Sequence, residues 1–313
     1  MIVMRNTEKS FGDRRVLAGL DLAVQEGEVY GLLGNNGAGK STAINILTGL
    51  IASDAGDVSV AGRPPSAEIR ALIGVAPQEI ALYQNLTCKE NLQFFGGVHR
   101  LRGARLKQQV DHVVQTLDLS EYGDAPVSTM SGGWQRRVNL AVAIVHAPVI
   151  VILDEPTAGL DVQARYQLWE FVRTLRREGT TVLLTTHMMD EAEALCDRVG
   201  ILHDGRVLRE GSVDALCRVV PAAELAEVEV EDLALLLSRA NTLGIPVRRY
   251  GGRLTLLLPA KTTLGDLIGQ FQRVPIRSIA LKPVGLHQVF LELTEPDRVR
   301  EEVGGRSVGG CGI

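Results

Sequence analysis

Cysteine is scarce in this sequence, with 4 among 313 residues. No two cysteines form a CxxC pair, and nothing at the N-terminus resembles a signal peptide. The cysteines are therefore predicted to be free thiols in a reducing compartment, which argues against a disulfide framework and a cysteine metal site. They are Cys88, Cys196, Cys217 and Cys311.

Long apolar runs are also missing. The longest nearly apolar stretch, Leu140–Leu153, is too short to span a bilayer and is interrupted by His146 and Pro148. The chain is therefore predicted to be soluble, so that any link to a membrane comes through a partner.

An excess of positive charge is absent as well. The net charge of −4 and the isoelectric point near 5.9 argue against nucleic acid as the main partner. The basic run at 100–107 is interpreted as a solvated helix face. With 45% hydrophobic and 22% charged residues, the composition is that of an ordinary globular protein with one large domain or two modest ones.

Aliphatic runs indicate the fold class. Glu28–Leu33, Val149–Leu153 and Thr181–Leu184 lack polar alternation, which predicts strands covered on both faces, as in a parallel α/β sheet. After the first of these runs, Ser41–Ile51 has apolar residues at helical spacing. A helix-rich block is predicted at about 86–147, and it opens with Thr87-x-x-Glu90, the pattern of a capping box.

The character of the sequence changes after Cys217. A hinge is predicted at Pro221–Ala223, and a βαββαβ pattern with a final helix follows. This order is typical of a small α+β domain of the split βαβ type. The predicted domains are 1–217, which includes the helical subdomain, and 218–297. A disordered tail is predicted at 298–313, where glycine is abundant.

The strongest motif is a GxxxxGK[ST] sequence between a predicted strand and a predicted helix. Its glycines allow backbone N–H groups to surround phosphates, Lys40 can reach the β and γ oxygens, and the Ser41 hydroxyl can bind Mg²⁺. The motif comprises Gly34, Asn35, Asn36, Gly37, Ala38, Gly39, Lys40 and Ser41, and Thr42 follows it.

Two adjacent acids, Asp154 and Glu155, end a predicted buried strand. Ionised carboxylates in such a place need a cation or a metal, because their desolvation is costly. Asp154 is placed to hold Mg²⁺, directly or through water. Glu155 would face the γ-phosphate and polarise the attacking water, a role worth on the order of 10²–10⁴ in rate.

Three further residues are candidates for the same site. His187 follows the strand that ends at Thr186, so it would emerge at the same sheet edge, a position that favours a contact with the γ-phosphate. Gln78 ends another candidate strand and could reach the metal or the water, and a plain turn residue is the less favoured alternative. Phe11 is an early aromatic residue that could stack on adenine or belong to the core.

A second phosphate-binding turn is suggested by Ser131-Gly132-Gly133, which precedes a helical run. Helix N-termini have unpaired N–H groups and a partial positive charge, so they attract anions. One nucleotide site does not need two such turns.

Together these motifs resemble the ABC ATPase family over roughly residues 1–217. The GxxxxGK[ST] motif, Gln78, the Ser131 turn, Asp154-Glu155, Gly159-Leu160-Asp161 and His187 occur in that family's order and approximate spacing. The resemblance implies a P-loop NTPase fold of the ABC type that hydrolyses ATP with Mg²⁺. It implies that Phe11 packs on adenine, that Asp161 joins two active sites, and that the Ser131 turn binds nucleotide held by another subunit. Two copies, or this chain and a homologous subunit, would pair head to tail. The family usually has glutamine where this chain has Trp134.

The C-terminal sequence at 285–294, with 83–92 and 136–141, resembles ATPase subunits of bacterial exporters of the daunorubicin-resistance type. This implies an exporter ATPase on the inner, cytoplasmic face of the cell membrane, bound to an integral-membrane permease. The small C-terminal domain would assist subunit contact or regulation, or be a passive appendage. The alternative function is a non-transport ABC ATPase that acts on ribosomes or in cofactor assembly.

Overall fold

The computed structural model describes residues 1–301. The chain divides into two compact units: the first unit is Met1–Ser212, and the second unit begins at Val213. The predicted boundary at 217/218 lies 5 residues further along the chain than this division. Among the described residues, no helix combines the length and the apolar character needed to cross a bilayer.

The first unit contains both strands and helices. Its strands are β1 (Ile2–Phe11), β2 (Arg14–Val24), β3 (Val29–Leu33), β4 (Ala55–Val60), β5 (Ile73–Ala76), β6 (Ile150–Asp154), β7 (Thr181–Thr186), β8 (Arg198–His203) and β9 (Arg206–Gly211). Its helices are α1 (Lys40–Leu47), α2 (Ala67–Arg70), α3 (Cys88–Val98), α4 (Gly103–Thr116), α5 (Gly132–Ile144), α6 (Val162–Arg177) and α7 (Met189–Leu195).

The central sheet of the first unit has 6 strands in the order β5-β6-β7-β3-β8-β9. All neighbours are parallel except β9, which is antiparallel to β8. Ile152 and Leu183 belong to one hydrophobic cluster, whereas Val151 and Val182 belong to the other. The sheet is thus covered on both faces, which confirms the prediction from the aliphatic runs.

A second sheet in this unit is antiparallel, in the order β2-β1-β4. The sequence analysis did not define it. In β1, Ile2, Met4 and Thr7 are buried, whereas Arg5 and Asn6 between Met4 and Thr7 are exposed, and Met4–Thr7 contains a register shift. The shift breaks the alternation by which such a strand is normally recognised.

Helix α1 ends earlier than the predicted limit of Ile51. Gly49 has φ +67°, and the Leu50 N–H donates to the Asn45 carbonyl at 2.9 Å. This left-handed glycine with a 6→1 hydrogen bond is a Schellman ending, which stops a helix although apolar spacing continues beyond it.

The helical block consists of α3, α4 and α5. The predicted capping box is confirmed, because Thr87 Oγ1 accepts from the Glu90 N–H at 3.2 Å and Glu90 Oε2 accepts from the Thr87 N–H at 2.8 Å. At one point the backbone of helix α5 packs directly against the backbone of β5, with no side chain between them. A Cβ atom on Gly74 would lie 2.0 Å from the Ala143 carbonyl oxygen.

The second unit is a four-stranded antiparallel sheet with helices. Its elements are α8 (Val213–Cys217), β10 (Glu224–Val230), α9 (Leu233–Thr242), β11 (Val247–Tyr250), β12 (Arg253–Leu258), α10 (Leu264–Gln270), β13 (Ile276–Lys282), α11 (Leu286–Thr294) and α12 (Pro296–Glu301). The sheet order β11-β12-β10-β13 confirms the split βαβ arrangement. Helix α12 covers the first residues of the predicted tail, and 302–313 lie outside the described residues.

Candidate functional site

The phosphate cradle lies between β3 and α1. Gly37 and Gly39 have φ +83° and +113°, which side chains rarely adopt, and a Cβ on Gly34 would lie 2.6 Å from the Leu202 carbonyl oxygen. The predicted glycines are therefore required by the backbone of this loop. Helix α1 begins at Lys40, so its N-terminal N–H groups and the loop point to one place.

The Lys40 side chain is almost completely buried. Its Nζ donates to the carbonyls of Gly34 at 2.7 Å and Asn35 at 3.2 Å, and it lies 3.1 Å from Glu155 Oε1. The ammonium thus joins the loop to the end of β6. Phosphate oxygens at this place would compete with the Glu155 carboxylate for the same cation.

Asp154 and Ser41 come together as the sequence predicts. The Ser41 hydroxyl donates to Asp154 Oδ2 at 3.2 Å, and the Thr185 hydroxyl donates to Asp154 Oδ1. Both Ser41 Oγ and Asp154 Oδ2 are hard oxygen ligands of the kind that Mg²⁺ prefers. The donor set therefore fits the predicted metal.

Glu155 lies in a strained and crowded position. Its backbone has φ +47°, and its N–H donates to the Thr185 carbonyl at 3.0 Å. Its Oε2 lies 3.1 Å from His187 Nδ1 and 3.5 Å from Gln78 Nε2. Burial raises the pKa of this carboxyl, but Lys40 and His187 outweigh it, and the pKa lies below its ordinary value. Glu155 is therefore ionised at neutral pH, as a base must be.

Phe11 lies at the end of β1 with 51% of its surface exposed. This excludes the core alternative. The ring lines a cavity of about 430 Å³ whose other walls include Arg14, Gly39, Ser41 and Glu155. Phe11 thus stands on the rim of the phosphate cradle, at a place where a base attached to the phosphates could stack.

The Ser131 turn is not among the residues that line this cavity. It forms the exposed N-terminus of α5, and Gly133 lies close to a different loop, since a Cβ there would be 3.9 Å from Leu160 and Ala164. Asp161 caps α6 by accepting from the Ala164 N–H at 2.8 Å. The structure therefore brings Ser131, Gly132, Gly133 and the Asp161 loop together as a second group.

Trp134 packs inside its own chain. Its ring lies 4.1 Å from the Tyr122 ring and 4.3 Å from the Arg137 guanidinium. Gln135 Nε2 donates to the carbonyls of Val127 and Met130 at 3.2 and 3.1 Å. In these contacts neither side chain lies over the Ser131 turn. Both side chains hold in place the segment that carries this turn.

Two residues of the site, Thr185 and Arg136, are not predicted from the sequence. Thr185 holds both Asp154 and the Glu155 backbone from the neighbouring strand. Arg136, on α5, donates to carbonyls of Pro77, Gln78 and Glu155. A polar residue opposite Asp154 in an aliphatic strand, and an arginine beside the apolar helix positions, are the signals that could have revealed them.

Comparisons with known proteins agree on one family. Residues 17–158 match the family described as "ABC transporter". The Nod factor export ATP-binding protein I of Burkholderia lata is 39% identical over 296 residues, covering 94% of this chain and 96% of that protein. The daunorubicin resistance ATP-binding protein DrrA3 of Streptomyces coeruleorubidus is 36% identical over 313 residues, covering 95% and 96%.

Solved structures show the same similarity over about two thirds of the chain. An ATP-binding subunit of an ABC transporter superposes with a TM-score of 0.65 at 29% identity, covering 70% of this chain and 92% of that one. A dimeric ATP-binding cassette in a post-hydrolysis state, bound to ADP and phosphate, gives 0.62 at 27% identity, covering 68% and 98%.

Proposed function

Because this chain belongs to the family of ABC transporter ATP-binding proteins and is an ATPase of that family, we propose that it drives an exporter. In this proposal it pairs head to tail with a second copy, or with a homologous subunit, around two ATP molecules. It acts at the inner face of the cell membrane through an integral-membrane permease. The relatives that span nearly the whole chain are named as export and resistance proteins, which does not favour a non-transport ATPase.

One observation carries the head-to-tail arrangement. The cradle, Asp154, Glu155, Gln78 and His187 meet at one sheet edge, whereas the N-terminus of α5 belongs to a separate group. A helix N-terminus is suited to a phosphate that another surface holds. In our proposal the Ser131 turn completes the γ-phosphate site of the partner, which explains why the chain has two phosphate-binding turns.

The roles within one site follow from the contacts. Lys40 would bind the β and γ phosphate oxygens in place of Glu155, and Ser41, Asp154 and Gln78 would hold Mg²⁺. When bound, Mg²⁺ would neutralise charge that develops on the transferred phosphoryl group. Glu155, freed from Lys40, orients and deprotonates the attacking water, and His187 fixes the Glu155 carboxylate beside the γ-phosphate. Phe11 stacks on the adenine.

A docking surface for the permease is proposed on the helical block and the segment directly before it. Tyr83, Phe94 and Phe95 form an aromatic cluster with ring centroids 4.7 to 5.9 Å apart, and Tyr83 and Phe94 are about half exposed. Phe95 also lines a cavity of about 410 Å³ beside the cluster. Exposed aromatic residues next to a cavity fit apolar anchors of a partner's cytoplasmic helices.

The dimer proposal is tested with Ser131→Asp, which places a negative charge at the N-terminus of α5. ATP binding to the isolated subunit should be unchanged, because the cradle is intact, whereas ATP-driven dimerisation and turnover should be lost. Size-exclusion chromatography in a Glu155→Gln background, with ATP and Mg²⁺, measures the dimer. Ser120→Asp, also at an exposed serine, is the control. A Ser131→Asp chain that still forms the ATP dimer contradicts the proposal.

The permease proposal is tested by membrane co-purification. Phe94→Asp should lose the integral-membrane partner and keep ATP binding, since Phe94 lies outside the cavity around the cradle. Ile268→Asp, at a residue that is 46% exposed in the second unit, is the matched control and should keep the partner. Equal recovery of the partner with both variants would place the docking surface elsewhere.

A further inference from the structure

Helix α5 reaches both loops of the catalytic edge through the buried side chain of Arg136. The Arg136 residue is only 6% exposed. Its Nη1 donates to the carbonyls of Pro77 at 3.1 Å and Gln78 at 2.6 Å, and its Nη2 lies 3.4 Å from the Glu155 carbonyl. One guanidinium therefore spans the loop after β5 and the loop after β6.

Those two loops carry Gln78 and Glu155, whose side chains also meet each other. The segments are not adjacent in sequence, and Glu155 has a strained φ of +47°. A backbone in that region persists only where surrounding contacts hold it. Arg136 holds it from the side of α5, opposite to the Thr185 contacts that come from β7.

A second side chain of the same helix, Asn139, also binds the loop after β5. Asn139 Nδ2 donates to the Pro77 carbonyl at 3.2 Å, and Asn139 Oδ1 accepts from the Ala81 N–H at 3.3 Å. Asn139 makes no recorded hydrogen bond to Glu155 within the described residues, so Arg136 alone of this pair connects α5 to both loops. The guanidinium is suited to this because it has several N–H donors in a fixed plane.

The position of Arg136 along α5 links its contacts to the Ser131 turn. The helix begins at Gly132, directly after Ser131, so Arg136 lies about one turn from the exposed turn that faces the partner. A displacement of that turn reaches Arg136 through a continuous hydrogen-bonded helix.

We infer that Arg136 is a positioning residue that couples the Ser131 turn to Gln78 and Glu155 of the same chain. Engagement of the turn with the partner's nucleotide sets the placement of the chain's own Glu155 carboxylate. This inference rests on the proposed roles of Ser131 and Glu155. It makes each subunit's hydrolysis depend on how well it holds the nucleotide of the other.

The test compares R136Q and R136K with the parent chain in steady-state ATPase assays. Misplacement of a reacting group by about 1 Å can cost about 100-fold in rate, so R136Q should lower kcat by about 10- to 100-fold and leave KM within about 3-fold. R136K should stay close to R136Q, because a single ammonium cannot span three carbonyls of two loops. A parent-like kcat in R136Q, or rescue by R136K, would overturn the inference.

A binding readout separates positioning from a general structural role. The double variant R136Q/E155Q should bind ATP and form the ATP dimer as E155Q does. Failure of this double variant to bind ATP or to dimerise would overturn the inference, because Arg136 would then be needed to build the site. R105Q, on the exposed face of α4, removes an arginine elsewhere in the helical block and should keep the parent kcat. An E155Q chain that hydrolyses ATP at the parent rate would overturn the proposed function itself.

Discussion

In the first unit, Asp154 and Glu155 are less than 10% exposed and lie against Lys40, Arg136 and Thr185. In the second unit, Glu227 on β10 pairs with Arg253 and Lys282, and these side chains are partly or largely exposed. Both units combine a sheet with helices around buried hydrophobic cores. The end of β6 in the first unit holds desolvated charges, at a cost that only tight pairing offsets, whereas the Glu227 cluster of the second unit remains partly in water.

We expect this difference in solvation to separate catalytic residues from residues that only support the fold. Buried ionised groups have strong and directed fields, which makes them useful for moving protons and phosphoryl groups. Solvated pairs contribute little energy and have no defined chemical target. Four substitutions can break or sharpen this comparison, and they are ordered below from the largest expected effect to the smallest.

The largest effect is expected for Glu155→Gln. Loss of the base should reduce the ATPase rate by on the order of 10²–10⁴, with ATP binding retained because the cradle is unchanged. The same chemical change at Glu227 of the second unit should leave the rate at the parent value. Single-turnover assays with both variants measure the comparison directly, and similar rates for the two would break it.

The second effect concerns the pH dependence of the first unit. Burial, together with the neighbouring His99 ring, lowers the pKa of His146 to about 4 from an ordinary 6.5. In the unfolded chain His146 therefore binds a proton below pH 6.5, whereas in the folded chain it does not bind one until about pH 4. The free energy of unfolding consequently falls as the pH falls between these values. The decrease in the free energy of unfolding that is due to His146 should reach up to about 3 kcal/mol.

His146→Gln should flatten that dependence, and His112→Gln, at an exposed position of α4, should not. Both tryptophans, Trp134 and Trp169, belong to the first unit, so urea unfolding followed by their fluorescence reports this unit alone. Equal pH slopes in the parent and in His146→Gln would contradict the prediction.

The third effect concerns the most buried ion pair of the second unit. Glu292 Oε1 accepts from Arg248 Nε at 3.2 Å and from the Tyr250 hydroxyl at 2.8 Å, and its side chain is 6% exposed. Glu292→Gln should lower the free energy of unfolding of this unit by about 1–3 kcal/mol and leave ATP hydrolysis by the folded chain unchanged. Hydrogen exchange in β11 and β12 measures the change, with the exposed Glu229→Gln as the control. A parallel loss of ATPase rate would show that the second unit is not merely support.

The smallest effect is expected for Glu227→Gln, at the surface of the second unit. Hydrogen bonds from Lys282, followed by those from Arg253, lower the pKa of Glu227, so its contribution to stability is present above about pH 4.5 and is lost as the pH falls. Glu227→Gln should cost less than about 1 kcal/mol, and high salt should reduce the cost further. Chemical unfolding at low and high ionic strength tests this. A cost that does not depend on salt would mean that the pair is not a solvated one.

Local features of the sequence predicted most of the fold and much of the candidate site. The strand that ends at Asp154 was visible because its apolar run is continuous, and the cradle was visible because glycines and Lys40 are contiguous. The elements of the second unit were visible because turns such as Gly251-Gly252 separate short periodic segments. Each of these signals lies within a window of a few residues.

The remainder depends on pairings between distant segments. Thr185 belongs to the site because it is the register partner of Asp154 across two parallel strands. Arg136 belongs to it because α5 crosses the ends of β5 and β6, which no local pattern specifies. Helix α1 was predicted too long because apolar spacing was given more weight than the left-handed preference of Gly49. Sequence periodicity indicates which face is buried, but it does not indicate what lies against that face.

The close approach at Gly74 has a mechanical consequence. With the backbones of β5 and α5 in direct contact, no side-chain layer lies between them that could deform or slide. We therefore expect the strand before Gln78 and the helix after Ser131 to move together. A methyl group at position 74 would lie 2.0 Å from the Ala143 carbonyl oxygen, so it would force the strand and the helix apart.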